Sequence, residues 1–167
     1  IGRRGENGTQ SPLYKQLNPQ GKVPALKHND NVINETIAIL NYIGALSPDK
    51  ELIPTKNFIL RAYYDEICSF VITELEQALW THAKHRFVLP KKYRIADISS
   101  TVEWEFEKAL DTLGSYVADK DYVVGEQFTM ADILISHTLA WAELSEFKIP
   151  APLLNYKNKH FQRPAFA

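Results

Sequence analysis

Residues 18–39 read NPQGKVPALKHNDNVINETIAI, and this stretch decides how the first part of the chain folds. Turn-forming residues occupy positions 18–21, and two short apolar segments then flank a polar Asn29-Asp30 pair. A two-residue turn of this composition between apolar segments predicts an antiparallel hairpin. The first segment is entered through Val23-Pro24, and because proline cannot donate to a strand ladder, it should lie at the edge or start of a strand. An X-Pro bond at such a place is also a candidate cis peptide.

A helix is predicted directly after the hairpin. Glu35-Thr36 precedes apolar residues at positions 37, 40 and 43, which share one helix face. The free N–H groups at a helix start attract a carboxylate, and the Glu35 side chain offers a partner for an ammonium group. The exposed backbone around Val23 and this helix start should therefore form one binding site. A plain helix cap is the alternative interpretation of the Glu35-Thr36 pair.

The order of these motifs, VPAL and then Glu-Thr-x-Ala-Ile, resembles the glutathione-binding half of the thioredoxin-like domain in the cytosolic glutathione transferase superfamily. In that family the proline is cis, and the residue before it pairs through its backbone with the cysteinyl part of glutathione. The resemblance implies that Val23 and Pro24 lie at the cysteinyl backbone, that Glu35 and Thr36 hold the γ-glutamyl group, and that Lys22 lies near the glycine carboxylate. Thr36 stands where serine is commoner.

The segment before the hairpin is short. Residues 1–10 are polar and glycine-rich, which predicts a loop, and Ser11-Pro12 has the pattern of a helix start. A two-stranded hairpin with two short helices cannot build its own core. The family's domain begins with a further strand, helix and strand, so we expect residues 1–46 to be a partial thioredoxin-like domain. The family's activating tyrosine, serine or cysteine is then expected before Ile1, which leaves no catalytic residue in this chain.

After a polar linker at residues 47–53, long amphipathic helices are predicted through residues 54–167, which indicates an all-α domain. The first should run from Pro54 to about Arg86, and the second should pack antiparallel to it. The apolar positions that predict the two facing stripes are Ile59, Tyr63, Ile67, Phe70, Val71, Leu75, Ala78 and Leu79, and then Ile98, Val102, Phe106, Leu110, Leu113 and Val117.

A third helix has the sharpest local signal in the chain. Thr129 and Asp132 have the spacing of a capping box, and the apolar sequence that follows predicts a buried central helix. His137 within it is predicted to be a satisfied core histidine, and Asp132 is predicted to be structural. A last helix is predicted from Pro152 to Phe161. The capping segment also resembles the helical domain of the glutathione transferases, so the resemblance implies the glutathione transferase fold over nearly the whole chain.

Composition argues against several other kinds of partner and site. Hydrophobic residues make up 45% of the 167 positions and charged residues 23%, and the formal net charge is −1. Long-range attraction to nucleic acid or to a membrane surface is therefore not expected, and no apolar run approaches the ~20 residues of a membrane span. The basic runs Arg3-Arg4 and Lys91-Lys92-Tyr93-Arg94 are too short to predict basic patches and are interpreted as solvated surface. The single cysteine, Cys68, excludes an internal disulfide and favours a cytoplasmic protein; it is predicted to be a buried thiol. His82 and His85 lack a third ligand at matching spacing, so no metal is expected.

Two functions fit these patterns. The resemblance implies a glutathione transferase, which binds glutathione as co-substrate, conjugates its thiolate to a small hydrophobic electrophile and acts as a homodimer. The alternative is a non-catalytic interaction module of the same fold, similar to the transferase-like domain of elongation factor 1 gamma or of stringent starvation protein A. The Glu35-Thr36 pair favours the enzyme, because a docking module has no need of a γ-glutamyl site.

Overall fold

The computed structural model describes residues 8–166, and the side chains of residues 8–165. The chain divides into two compact units, with the boundary in the sequence between Leu52 and Ile53. Most of the predicted loop at residues 1–10 lies outside the described residues. Along the described part of the chain, every helix is too short or too polar to cross a membrane.

The first unit contains the predicted hairpin between two helices. Its elements are α1 (Pro12–Leu17), β1 (Ala25–His28), β2 (Asn31–Asn34) and α2 (Thr36–Ala45), followed by a 3-10 turn at Pro48–Lys50. The strands are antiparallel, and Asn29 opens the turn between them with a φ of 55°. The predicted start of α1 is confirmed, because the Ser11 hydroxyl accepts a hydrogen bond from the Tyr14 N–H at 3.2 Å. The predicted cis peptide at Val23-Pro24 is also confirmed.

The second unit begins with one long helical segment. It consists of α3 (Phe58–Phe70), a π-helical stretch (Val71–Glu76), α4 (Gln77–Ala83) and a second π-helical stretch (Lys84–Val88). The predicted start at Pro54 is wrong. The Asn57 side chain accepts hydrogen bonds from the N–H groups of Ile59 and Leu60, at 3.0 and 3.2 Å, and this cap sets the first turn.

The core of this unit contains most of the predicted stripes. In α5 (Ile98–Val117) the predicted positions from Val102 onward are buried. In the long helical segment, Ile67, Val71, Leu75, Ala78 and Leu79 are buried. Ile59 and Tyr63 are instead 56% and 52% exposed, whereas the neighbouring Tyr64 is fully buried, so the two residues lie on the solvent side of α3.

The next helix, α6 (Met130–Leu144), begins with the predicted capping box between Thr129 and Asp132. Most of α6 is buried, as expected, but His137 is exposed, so its assignment to the core was wrong. Even a central helix keeps one stripe toward solvent, and in α6 His137 shares that stripe with Leu144, which is 85% exposed. The last helix, α7, spans Ala151–Phe161.

Asp132 joins three segments of the second unit. Its side chain is fully buried, and one carboxylate oxygen accepts from the Thr129 N–H at 2.7 Å and from the Thr129 hydroxyl at 3.1 Å. The other oxygen accepts from the Val123 N–H at 2.9 Å and from the Tyr156 hydroxyl. His160 Nε2 lies 4.0 Å from that second oxygen. Burial and the nearby carboxylate both raise the pKa of Tyr156, which keeps its hydroxyl a donor.

Candidate functional site

The turn at residues 18–21 is closed by its own polar groups. The Gly21 N–H donates to the Asn18 carbonyl oxygen at 2.9 Å, and the Asn18 side-chain oxygen accepts from the Gln20 N–H at 3.0 Å. Gly21 has a φ of 61°, and a Cβ there would lie 2.5 Å from Gln10 Nε2 and 2.8 Å from the Thr9 carbonyl oxygen. Only glycine fits this position without displacing a neighbour.

We therefore expect Gly21→Ala to lower the free energy of unfolding by about 1–3 kcal/mol, through the left-handed backbone and the contact with Thr9. Urea denaturation followed by circular dichroism measures the loss. Gly114→Ala is the matched control, because a Cβ there meets no atom within 4 Å and the residue lies inside α5. Alanine in a helix interior should stabilise by roughly 0.5–1 kcal/mol. Equal effects at the two glycines would contradict this account of the turn.

The peptide unit between Lys22 and Val23 is held in place by two side chains. The Lys22 carbonyl oxygen accepts from the Tyr14 hydroxyl at 2.6 Å and from Asn18 Nδ2 at 2.9 Å. The N–H of the same peptide belongs to Val23, whose residue is 59% exposed. Within the described chain, no hydrogen bond is recorded for this N–H. A positioned and unpaired backbone donor is therefore presented directly before Pro24.

The register of the hairpin brings the two motifs to one place. Ala25 pairs with Asn34, so Pro24 and Glu35 extend from the same open end of the ladder. Paired Cα atoms in an antiparallel ladder lie about 4.5–5.5 Å apart, so the residues just beyond this pair are close neighbours. The Asn34 side chain also donates to the Leu17 carbonyl oxygen at 3.1 Å, which ties this end of the hairpin to the end of α1.

Glu35 occupies an uncommon backbone conformation at the start of α2. Its φ is 71° and its ψ is 129°, and its side chain makes no capping hydrogen bond. Instead, Glu35 Oε1 accepts from Gln20 Nε2 at 3.1 Å and remains exposed. A positive φ at a non-glycine residue costs free energy and is found preferentially at functional sites. Because the Glu35 side chain makes no capping hydrogen bond, the plain-cap interpretation does not describe its role.

Gln20 is the residue that sequence reasoning missed. It was assigned only to the turn, yet its amide reaches Glu35, which lies 15 positions later in the chain. Its place three residues before Val23 is the available signal, because the hairpin brings Glu35 back to this part of the chain.

The open end of the hairpin thus presents four recognition groups. Lys22 is an exposed cation, Val23 offers backbone groups, Glu35 is an exposed carboxylate, and Thr36 begins α2 with the free N–H groups of a helix start. Such a set matches a small extended molecule that carries an ammonium group, carboxylates and a peptide backbone.

The cysteine and the two histidines that were considered as candidate sites are held in contacts that give them a structural role. Cys68 is 2% exposed, as predicted, and burial raises the pKa of its thiol to about 11, which keeps it protonated and unreactive. The His85 ring accepts a hydrogen bond from the Ile95 N–H at 3.0 Å, and the His82 ring packs against Phe147 with their centres 5.1 Å apart. Among the described residues, no three histidine, cysteine or acidic side chains are grouped to hold a metal.

A separate open groove of about 640 Å³ lies in the second unit, between the end of α5, the loop after it and α7. Apolar residues such as Leu110 and Leu153 line it together with Asp121 and Lys159, which form an ion pair. None of the hairpin residues contributes to this groove.

Comparison with known proteins identifies the family. Residues 3–45 match the family described as "Glutathione S-transferase, N-terminal domain", and residues 105–156 match "Glutathione S-transferase, C-terminal domain". Over 141 residues the chain is 31% identical to glutathione S-transferase GstA of Escherichia coli O157:H7. The chain belongs to the glutathione transferase superfamily. Its expected fold is confirmed: the hairpin unit is part of a thioredoxin-like domain, and a helical domain follows it.

Two further relatives show how broad this superfamily is. A sphingomonad glutathione S-transferase, solved in complex with glutathione, superposes with a TM-score of 0.78 at 28% identity, over 92% of this chain and 74% of that chain. Elongation factor 1-gamma of Prunus avium is 32% identical over 134 residues, which are 78% of this chain. The match to GstA covers 84% of this chain and 65% of GstA. The match to the elongation factor covers 30% of the elongation factor's length.

Proposed function

We propose that this protein binds glutathione at the open end of its hairpin and transfers the glutathione thiol to a small hydrophobic electrophile. The observation that carries the proposal is the hairpin register, which joins the Val23-Pro24 backbone to the Glu35 carboxylate and the start of α2. The glutathione complex of the sphingomonad relative supports the choice of ligand.

Each recognition group has a partner in glutathione. The Glu35 carboxylate binds the γ-glutamyl ammonium, and in doing so replaces its present hydrogen bond from Gln20. The Thr36 hydroxyl and the N–H groups at the start of α2 bind the γ-glutamyl carboxylate. The Val23 backbone pairs with the cysteinyl residue, Pro24 borders it, and Lys22 lies near the glycine carboxylate.

The chemistry then depends on the thiolate. Glutathione loses its thiol proton to solvent, and a sulfur lone pair forms a bond to an electrophilic carbon. In a substitution the bond to the leaving group breaks and that group departs with its electron pair. In an addition the π bond at that carbon breaks, its electron pair moves to the neighbouring atom, and that atom takes up a proton. The hairpin contributes by fixing the cysteinyl backbone, since a held reactant gains effective concentration. We propose that the group that lowers the thiol pKa is the tyrosine, serine or cysteine that the family uses for this purpose. A conjugation assay with glutathione and a small aromatic electrophile tests this function, and a protein that binds glutathione without forming a thioether would limit the proposal to binding.

The second candidate function is a non-catalytic interaction module, which the 32% identity to elongation factor 1-gamma favours. The two functions differ at the hairpin. A docking module does not require the exposed Glu35 carboxylate to recognise an ammonium group, so the absence of glutathione binding would favour the module.

We also propose that the protein forms a symmetric homodimer through the first turns of α3. Phe58, Ile59 and Tyr63 are 89%, 56% and 52% exposed there, and a second copy could cover this apolar surface. The double variant Ile59→Asp, Tyr63→Asp should weaken the dimer by about a hundredfold, as expected for central apolar contacts. Sedimentation velocity measures this.

Leu144→Asp is the control for the dimer, because Leu144 is 85% exposed on α6, and this variant should sediment as the unmodified protein does. A monomer before any substitution, at micromolar concentration, would remove the dimer proposal.

A further inference from the structure

The connection between the long helical segment and α5 combines positive charge with exposed apolar side chains. We name residues 84–95, with the sequence KHRFVLPKKYRI, the basic tip. It contains five lysine or arginine residues and no acidic residue, in a chain whose formal net charge is −1. The net charge of the whole chain therefore averages over a local concentration of positive charge.

The basic tip is an ordered structure. The Arg94 guanidinium donates to three backbone carbonyl oxygens at the end of the helical segment, those of Arg86, Phe87 and Leu89, at 3.0, 2.9 and 2.8 Å. The Ile95 N–H donates to His85 Nδ1 at 3.0 Å. The chain after Pro90 is thereby held against the end of the helix, which positions the backbone of the tip.

These hydrogen bonds give the Arg94 guanidinium its partners, but they do not involve the side chains of the other lysine and arginine residues of the tip. For Lys84, Arg86, Lys91 and Lys92, no ion pair with a carboxylate is recorded in residues 8–166. Arg86, Lys91 and Lys92 are exposed. Their charges are thus available to a partner that carries negative charge.

Three large apolar side chains of the tip are also exposed. Phe87 is 65% exposed, Tyr93 59% and Ile95 56%. The Lys92 ammonium lies 4.8 Å from the centre of the Tyr93 ring, so cationic and aromatic groups are interleaved. Large apolar side chains that are exposed and close together in the chain are a candidate contact surface.

We propose that the basic tip is a peripheral docking site for an anionic lipid surface. Phosphate and carboxylate headgroups would receive the lysine and arginine side chains, while Phe87, Tyr93 and Ile95 enter the boundary with the acyl chains. An anionic lipid surface would contact both the cations and the exposed apolar side chains of the tip. A purely polyanionic partner gives no reason to expose Ile95, and an apolar protein groove gives no reason for four cations without carboxylate partners. The sequence-based expectation of no membrane partner rested on the net charge of the whole chain, which averages over this surface, and on the interpretation of Lys91-Lys92-Tyr93-Arg94 as a run too short to form a basic patch. The proposal departs from that interpretation because Lys84 and Arg86, at the end of the helical segment, add to the same tip.

Co-sedimentation with lipid vesicles tests the proposal on the whole protein. We expect binding to vesicles of phosphatidylcholine mixed with phosphatidylserine, weaker binding as salt is raised, and no binding to phosphatidylcholine alone. Lys91→Glu with Lys92→Glu should reduce affinity for the anionic vesicles by about tenfold or more. Phe87→Ser with Ile95→Ser should also reduce affinity, but with an unchanged dependence on salt.

Trp104→Ser with Lys108→Glu is the matched control. Trp104 is 61% exposed on α5, with the Lys108 ammonium 5.7 Å from its ring centre, so this pair reproduces the Lys92–Tyr93 pair elsewhere on the surface. Circular dichroism confirms that each variant is folded. The proposal is overturned if anionic vesicles do not bind the protein or if the control pair loses affinity equally. Salt-sensitive binding of single-stranded RNA by the same tip, without vesicle binding, would assign it to nucleic acid instead.

Discussion

Asp132→Ala is expected to lower the free energy of unfolding by roughly 3 kcal/mol or more, because several buried donors lose their acceptor at once. The N–H groups of Val123 and Thr129 and the Tyr156 hydroxyl would all remain buried without it. A lost helix cap alone would cost only about 1 kcal/mol. Urea denaturation followed by far-ultraviolet circular dichroism measures the difference.

Two companion variants make this measurement specific. Tyr156→Phe removes one donor and leaves the carboxylate its backbone partners, so it should cost less, on the order of 1 kcal/mol. Asp111→Ala removes an exposed carboxylate from α5 and should change stability by no more than about 0.5 kcal/mol. If Asp132→Ala lowered the free energy of unfolding by no more than Asp111→Ala does, Asp132 would not join the three segments as described. Folded Asp132→Ala protein should bind glutathione normally, because Asp132 is not among the hairpin groups.

The features that local sequence predicted well are those decided by neighbouring residues. The Asn29-Asp30 turn, the Ser11 cap and the Thr129 capping box each depend on contacts within three positions of the chain. Such contacts follow from residue type and spacing alone.

The features that sequence missed depend on contacts between distant positions or on competition between nearby signals. Gln20 reaches Glu35 only because the hairpin register returns the chain to it. Pro54 has the pattern of a helix start, but the Asn57 side chain supplies a real cap three residues later. His137 lies in an apolar sequence, and only the packing of α6 determines which stripe faces solvent.

The second large effect is expected at Glu35, whose carboxylate is the proposed partner of the γ-glutamyl ammonium. Glu35→Gln keeps the size of the side chain and removes its charge. Hydrogen bonds to charged groups contribute about 1.5–3 kcal/mol, so glutathione affinity should fall by about tenfold to a hundredfold. Asp30→Asn is the matched control, because it removes the same charge at the closed end of the same hairpin.

Isothermal titration calorimetry of glutathione into these proteins is the most direct measurement of the central claim. We predict that the unmodified protein binds glutathione, that Glu35→Gln weakens binding by at least about tenfold, and that Asp30→Asn stays within about twofold because salt screens its more distant charge. Equal affinities of Glu35→Gln and the unmodified protein, or a loss of the same size in Asp30→Asn, would contradict the assignment of the hairpin's open end as the glutathione site.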